Sequence, residues 1–123
     1  MKRNLDLIRE ILLAIEEQHE YGPIYGLSIP DHSMNEVAYH CKLLYEHGFI
    51  DDYGDEPGDE ELLDFGVGGL TWEGADYLEQ VRDNSRWGKV KKTMKEKGIP
   101  LTVEFVKETV NTMMAAVISS IVT

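Results

Sequence analysis

The 123-residue chain carries one cysteine and four histidines, the side chains from which a nucleophile or a metal site would be built. His40 and His47 stand seven positions apart, about 10 Å along a helix and too far for joint ligation. His40 is adjacent to Cys41 but points another way around a helix, so structural zinc is not expected and no metal or cofactor is assigned. Cys41 falls between Val37 and Leu44 on an apolar face and reads as a packed, inert thiol. Gly66, Gly68 and Gly69 lack the following lysine of a phosphate loop, and the chain has neither a serine elbow nor a zinc-hydrolase helix. Residues 51–64 hold eight carboxylates, Asp51, Asp52, Asp55, Glu56, Asp59, Glu60, Glu61 and Asp64. Their spacing does not match a calcium loop. Acid–base chemistry needs a cleft with an apolar wall, which so polar a run does not supply, and a non-enzymatic protein is expected.

Charge narrows the partners. Twelve Lys and Arg against 23 Asp and Glu give a net charge of −11, a sign that repels phosphate backbones. Residues 1–85 hold 5 basic and 20 acidic side chains, net −15, whereas residues 86–123 hold 7 and 3, net +4. A lone cysteine excludes an internal disulfide, and the opening Met1-Lys2-Arg3-Asn4-Leu5-Asp6 lacks the apolar stretch of an export signal. A cytoplasmic protein is expected. Residues 109–123 are uncharged but shorter than a span of about 20 residues and broken by Thr, Asn and Ser, so no membrane helix is expected there.

The elements that must position these groups follow from periodicity and punctuation. Asn4 caps a helix to about residue 18, with Leu5, Ile8, Ile11, Leu12 and Ile15 at helical spacing and Leu7 and Ala14 widening the apolar side. Gly22, Pro23, Gly26 and Pro30 leave room for a short strand over residues 24–29. Ser33 and Glu36 form a capping box for a helix to His47, with Gly48 as its left-handed stop. Met34, Val37, Ala38, Cys41 and Leu44 make its inner face; Tyr39, His40, Lys42, Leu43, Glu46 and His47 point outward. Phe49 and Ile50 begin a strand, residues 53–58 interrupt it as an acidic tip, and residues 62–70 return antiparallel. Thr71 caps a helix ending near residue 83. A basic helix over residues 85–97 and a last helix capped by Thr102 complete the chain. The expected class is α+β, mostly helical: a winged-helix-like domain over residues 1–83 and a helical extension over residues 84–123.

Two strings sharpen this reading. Tyr39-His40-Cys41-Lys42-Leu43-Leu44-Tyr45-Glu46-His47-Gly48-Phe49-Ile50 resembles the exit of a recognition helix into a wing, and Leu70-Thr71-Trp72-Glu73-Gly74 is similar to the string after the wing in bacterial winged-helix regulators. With the opening Met1 to Arg9, they resemble a family of short prophage proteins of Gram-positive bacteria, a domain of unknown function related to the YjcQ-like winged helices. The resemblance covers about residues 1–100 and implies a winged-helix fold and a phage or prophage origin; it implies no particular activity. Two features depart from DNA-binding members of that fold. Pro23 and Pro30 leave no room for the positioning helix, and the hairpin has no cation to meet phosphate or minor groove.

The expected function is therefore a protein–protein interaction module that inhibits or modulates host machinery. Its contact residues are Tyr39, His40, Leu43, Glu46 and His47 on the helix and Asp51, Asp52, Asp55 and Glu56 on the hairpin. The alternative is a DNA-binding regulator contacting nucleic acid through Lys42, Arg86, Lys89, Lys91, Lys92 and Lys95. In the last helix Val103, Val106, Val110, Met113, Val117 and Ile121 form a seam at alternating spacings of three and four. Val106, Val110, Met113, Val117 and Ile121 are expected to form a homodimer contact, or alternatively to pack on Leu7 and Ala14 of the first helix.

Overall fold

In the computed structural model, which describes residues 1–122, five helices and one three-stranded antiparallel sheet follow the order helix, strand, helix, hairpin, helix, helix, helix. This is the α+β, mostly helical layout that the sequence predicts. The chain forms two compact units, Met1–Leu78 and the residues from Glu79 onward.

Helix α1 (Leu5–Gln18) opens on Asn4, whose side chain accepts from the Leu7 N–H at 3.2 Å, satisfying one of the donors that every helix start leaves unpaired. Leu5, Leu7, Ile8, Ile11, Leu12 and Ile15 are all buried, one broad apolar face set by the 3.6-residue period. Strand β1 is only Ile24–Tyr25, because Gly26 takes a left-handed φ of 62° and turns the chain out of the sheet; Leu27 and Ile29 are then buried outside it. Residues 19–32 contain no helix.

Helix α2 (Met34–His47) has both halves of its capping box: Ser33 Oγ accepts from the Glu36 N–H at 3.1 Å, and Glu36 Oε1 accepts from the Ser33 N–H at 3.3 Å. The His32 ring lies 3.0 Å from the same carboxylate, and that hydrogen bond holds the Glu36 carboxyl below its ordinary pKa. Gly48, at φ 86°, ends the helix. Val37, Ala38, Cys41 and Leu44 are buried, but Met34 is 43% exposed: in the first turn it lies beyond the buried stretch of that face.

The hairpin differs from expectation. Strand β2 is Tyr53–Pro57, inside the stretch read as a tip, and pairs with β3 (Leu62–Val67); β1 lies on the other edge of β3. Ile50 makes a single bridge to Leu70 instead of starting the strand. Gly54, Asp55, Glu56 and Pro57 read as turn residues because they are poor strand formers. They are tolerated because β2 is an edge strand, where charge and proline also discourage further pairing. The turn itself is residues 58–61, with the Gly58 N–H donating to the Glu61 carbonyl at 2.9 Å.

The two ends of the hairpin are tied together at its base. The Asp51 N–H donates to the Gly69 carbonyl, the Gly69 N–H to Asp51 Oδ1 and the Gly68 N–H to the Asp52 carbonyl, each at 3.0 Å. Beside them the Thr71 N–H donates to the Phe49 carbonyl at 3.0 Å and its hydroxyl to the Gly48 carbonyl at 2.6 Å. The same hydroxyl accepts from the Gly74 N–H at 3.1 Å, which starts α3 (Trp72–Val81). A Cβ at Gly74 would run into the Phe49 carbonyl, so this approach is open only to glycine. Tyr77 stacks at 5.2 Å from Phe49; among the described residues its buried hydroxyl has no hydrogen-bond partner, and burial raises its pKa.

In the second unit α4 (Asn84–Glu96) is capped by Asp83, which accepts from the Arg86 N–H at 2.8 Å. After Gly98, α5 (Val103–Val122) packs against α4 through its first half; Trp87, Val90 and Met94 on α4 and Val106 and Val110 on α5 are buried.

Two glycines inside helices give a test by sign. At Gly88 a Cβ would meet open space, so Gly88→Ala should raise stability by about 0.5–1 kcal/mol in urea titration. Gly74→Ala should lower it by about 1–3 kcal/mol through overpacking against Phe49, and Thr71→Ala by about 1 kcal/mol through the lost cap. A Gly74→Ala chain as stable as the parent would contradict the close approach.

Candidate functional site

The outward face of α2 carries fewer contact residues than its spacing predicts. His40, expected to point outward, is fully buried. Its Nε2 accepts from the Asn4 N–H at 2.9 Å and its Nδ1–H donates to the Glu36 carbonyl at 2.8 Å, so the ring ties the start of α1 to the first turns of α2. His40 therefore leaves the set of partner-binding residues. Its position three after Val37 and four before Leu44 places it at the margin of the buried face, a signal present in the sequence. Tyr39, half-buried, sets its ring edge-on at 5.2 Å from that imidazole, and Leu43 is half-buried too. Lys42, Glu46 and His47 are exposed, with the His47 ring 4.5 Å from Phe49.

Sequence reasoning missed two exposed aromatics in this region. Tyr45 is 45% exposed in the last turn of α2, and Trp72 is 80% exposed at the start of α3, next to Thr71, whose hydroxyl bonds to Gly48. Tyr45 lies off the buried stripe by helical period. Trp72 precedes the part of α3 that packs, and no pattern marks it as exposed.

On the hairpin, three of the four expected carboxylates already serve the fold. Asp51 holds the Gly69 N–H, Asp52 Oδ1 accepts from the Tyr53 N–H at 3.0 Å, and Asp55 Oδ2 accepts from the Tyr53 hydroxyl at 2.8 Å. Burial, reinforced by Asp55, raises the pKa of that Tyr53 hydroxyl. The strand register divides the rest into two faces. Tyr53, Phe65 and Val67 share one face, with the Tyr53 and Phe65 rings 6.4 Å apart. The opposite face carries Tyr25, Gly66 and Gly54 in one row, since Tyr25 pairs with Gly66 and Gly66 with Gly54; Glu56 and Asp64 face each other in the next row. A groove of about 340 Å³ lies on this face, with Asp52 at its border. The sequence reading does not bring Tyr25, Gly54, Asp64 and Gly66 together, because it makes residues 53–58, Gly54 and Glu56 among them, a tip with no strand register.

The cations of α4 divide into two groups. The Arg86 guanidinium donates to the Glu79 and Gln80 carbonyls at 3.2 and 3.4 Å, at the end of α3, and Lys91 Nζ lies 5.4 Å above the Trp87 ring. Lys89, Lys92 and Lys95 recur every three residues and are exposed. On α5 the expected dimer seam is cut in two. Val106 and Val110 are buried and so are removed from the self-association set; Met113 is half-buried, and Val117 and Ile121 are 46% and 75% exposed. The uncharged run from Thr109 is too short for a membrane span, but the helix begins at Val103 and has 20 residues. By length and composition alone it is long and apolar enough to cross a membrane.

Among the described residues no group of three or more His, Cys, Asp or Glu is placed to hold a metal ion. Cys41 is fully buried, and loss of solvation pushes its thiol up to about 12. Iodoacetamide at about pH 8, close to the ordinary thiol pKa, should therefore label the native chain far more slowly than the chain in 6 M guanidinium. Equal rates would place Cys41 at the surface.

The profile of the family described as "Hypothetical protein (DUF2513)" matches residues 2–100, which contain the α1–β3 unit, α3 and α4 and stop short of α5. A Haemophilus influenzae protein described as "Uncharacterized protein" is 33% identical over 123 residues, covering 97% of this chain and 100% of the relative. No solved structure matches the chain significantly. By the extent of the profile match and the full-length relative, the chain belongs to the DUF2513 family.

Proposed function

We infer that the chain is a non-enzymatic, cytoplasmic protein-binding module on a winged-helix scaffold, which engages a basic protein partner through its hairpin and thereby modulates host machinery. One observation carries this reading. Between Lys42 and Arg82 there is no Lys or Arg but there are twelve carboxylates, and this stretch holds the last turn of α2, the whole hairpin and all of α3. A winged helix that reads DNA presents cations there, because phosphate neutralisation supplies much of the affinity. Here the same surfaces complement a basic groove. A phage or prophage origin and a relationship to YjcQ-like winged helices belong to this reading and rest on the opening Met1 to Arg9 combined with Tyr39-His40 and the Leu70-Thr71-Trp72-Glu73-Gly74 string.

The test is affinity capture from bacterial extract at about 0.15 M salt, where charges act over only about 8 Å, identified by mass spectrometry and repeated with Glu56→Gln, Glu60→Gln, Glu61→Gln. A basic protein retained by the parent and lost from the variant is expected. A second reading, DNA binding, is favoured by Lys89, Lys92 and Lys95 on α4. A sub-micromolar, sequence-selective complex with duplex DNA at the same salt, weakened by substituting those lysines, would replace the first reading.

The exposed half of α5 is the place for self-association, with Met113, Val117 and Ile121 meeting a second copy and not a bilayer. Sedimentation should show a dimer that Val117→Glu with Ile121→Glu returns to monomer. A parent chain monomeric across concentration, or one that floats with liposomes, would refute the dimer.

A further inference from the structure

Resting on the protein-binding reading, we propose that the outer face of the β1–β3–β2 sheet is a docking groove for an arginine side chain presented by the partner. Three features of that face converge. The first is its floor. Gly54 and Gly66 are directly paired on adjacent strands, so the row beside Tyr25 has no side chain on two of its three strands. A Cβ at Gly54 would meet nothing within 4 Å. The second is its wall. The Tyr25 ring lies against Gly66, where a Cβ would come within 3.2 Å of two ring carbons, and the residue is still 71% exposed.

The third feature is the pair of carboxylates one row further along, about 7 Å away at the rise of a strand. Glu56 and Asp64 are direct cross-strand partners on the same face. Like charges so placed are unfavourable, and no Lys or Arg belongs to any strand of this sheet. A single cation between them removes the repulsion. The groove they border, about 340 Å³, falls at the small end of the range of about 300–1,000 Å³ typical of ligand sites.

These features select arginine. Its apolar stem lies over bare glycine backbone and along the tyrosine ring, and its planar guanidinium reaches both carboxylates with paired N–H donors and stacks on an aromatic face. An ammonium group has neither the plane nor the fork. The carboxylates alone would attract any cation; the glycine floor and the ring set the shape.

The experiment uses the full chain and three terminally blocked peptides, identical except for one central Arg, Lys or citrulline. Binding is followed by amide chemical shifts and calorimetry at about 0.15 M salt. The Arg peptide should shift the amides of Tyr25, Gly54, Glu56, Asp64 and Gly66 and bind at least tenfold more tightly than the citrulline peptide, the equivalent of about 1.4 kcal/mol. The Lys peptide should bind more weakly than the Arg peptide. Gly54→Val leaves every charge in place and fills open space on an edge strand, so the chain should stay folded and lose the Arg peptide by at least tenfold. Glu56→Gln should weaken binding as well. Undiminished binding to Gly54→Val, equal affinity for Lys, or shifts centred on residues 59–61 would overturn the groove. Those results leave the protein-binding reading standing if the hairpin variant still loses its captured partner; capture that ignores the hairpin charges would remove that reading instead.

Discussion

The constraint on which the first unit depends is that the chain must enter and leave its hairpin at one point. Gly48, Phe49, Asp51 and Asp52 on the way in bond to Gly68, Gly69 and Thr71 on the way out, so the two ends are closed before any ladder hydrogen bond is counted. Gly74 is part of the same knot, since only a residue without a Cβ lets α3 begin against the Phe49 carbonyl. Once closed there, the strands have a single register: Tyr53 opposite Val67, Gly54 opposite Gly66, Glu56 opposite Asp64. A slip of one residue would turn Phe65 and Val67, both buried, to the solvent face.

Behind the hairpin, α2 serves as a scaffold. Its interior histidine spends both ring nitrogens on backbone groups, one from Asn4 and one from Glu36, so α1 and α2 are joined by a polar contact inside an otherwise apolar packing. Leaving such a buried donor without its acceptor costs about 1–3 kcal/mol. Asn35 adds a link to the hairpin by accepting from the Leu62 N–H at 3.2 Å. Helix α2 is thus held on both flanks, and its remaining exposed side chains are few and of mixed sign.

What was legible in the sequence followed from local chemistry. The Ser33–Glu36 box, the Gly48 stop, the Thr71 cap and the apolar face of α1 each depend on residues within one turn of each other, and each is in the structure. The misread parts depend on distant partners. His40 stands at the margin of the buried face, but a polar ring there needs partners, and one of them, the Asn4 N–H, lies thirty-six residues away. Gly54 to Pro57 have the composition of a turn and become a strand because β3 supplies every hydrogen bond that they need on one side only. Val106 and Val110 fit a seam that periodicity treats as continuous, whereas α4 is 13 residues long against the 20 of α5 and covers only its first part.

The same composition that disguised β2 also decides which approach to the sheet remains open. Pro57 lacks an N–H, the register shifts between Glu56 and Pro57, and carboxylates line the strand, so a further strand finds a poor template at that edge. One face of the sheet is occupied by Phe65 and Val67 turned toward the interior. On the outer face the paired glycines remove side chains and the opposed carboxylates keep the local potential negative. An edge that refuses strands and a face that lacks cations are two consequences of one run of residues. Together they make this edge a poor template for a further strand and leave a negatively charged outer face, and the proposed docking of a cationic side chain rests on these two features.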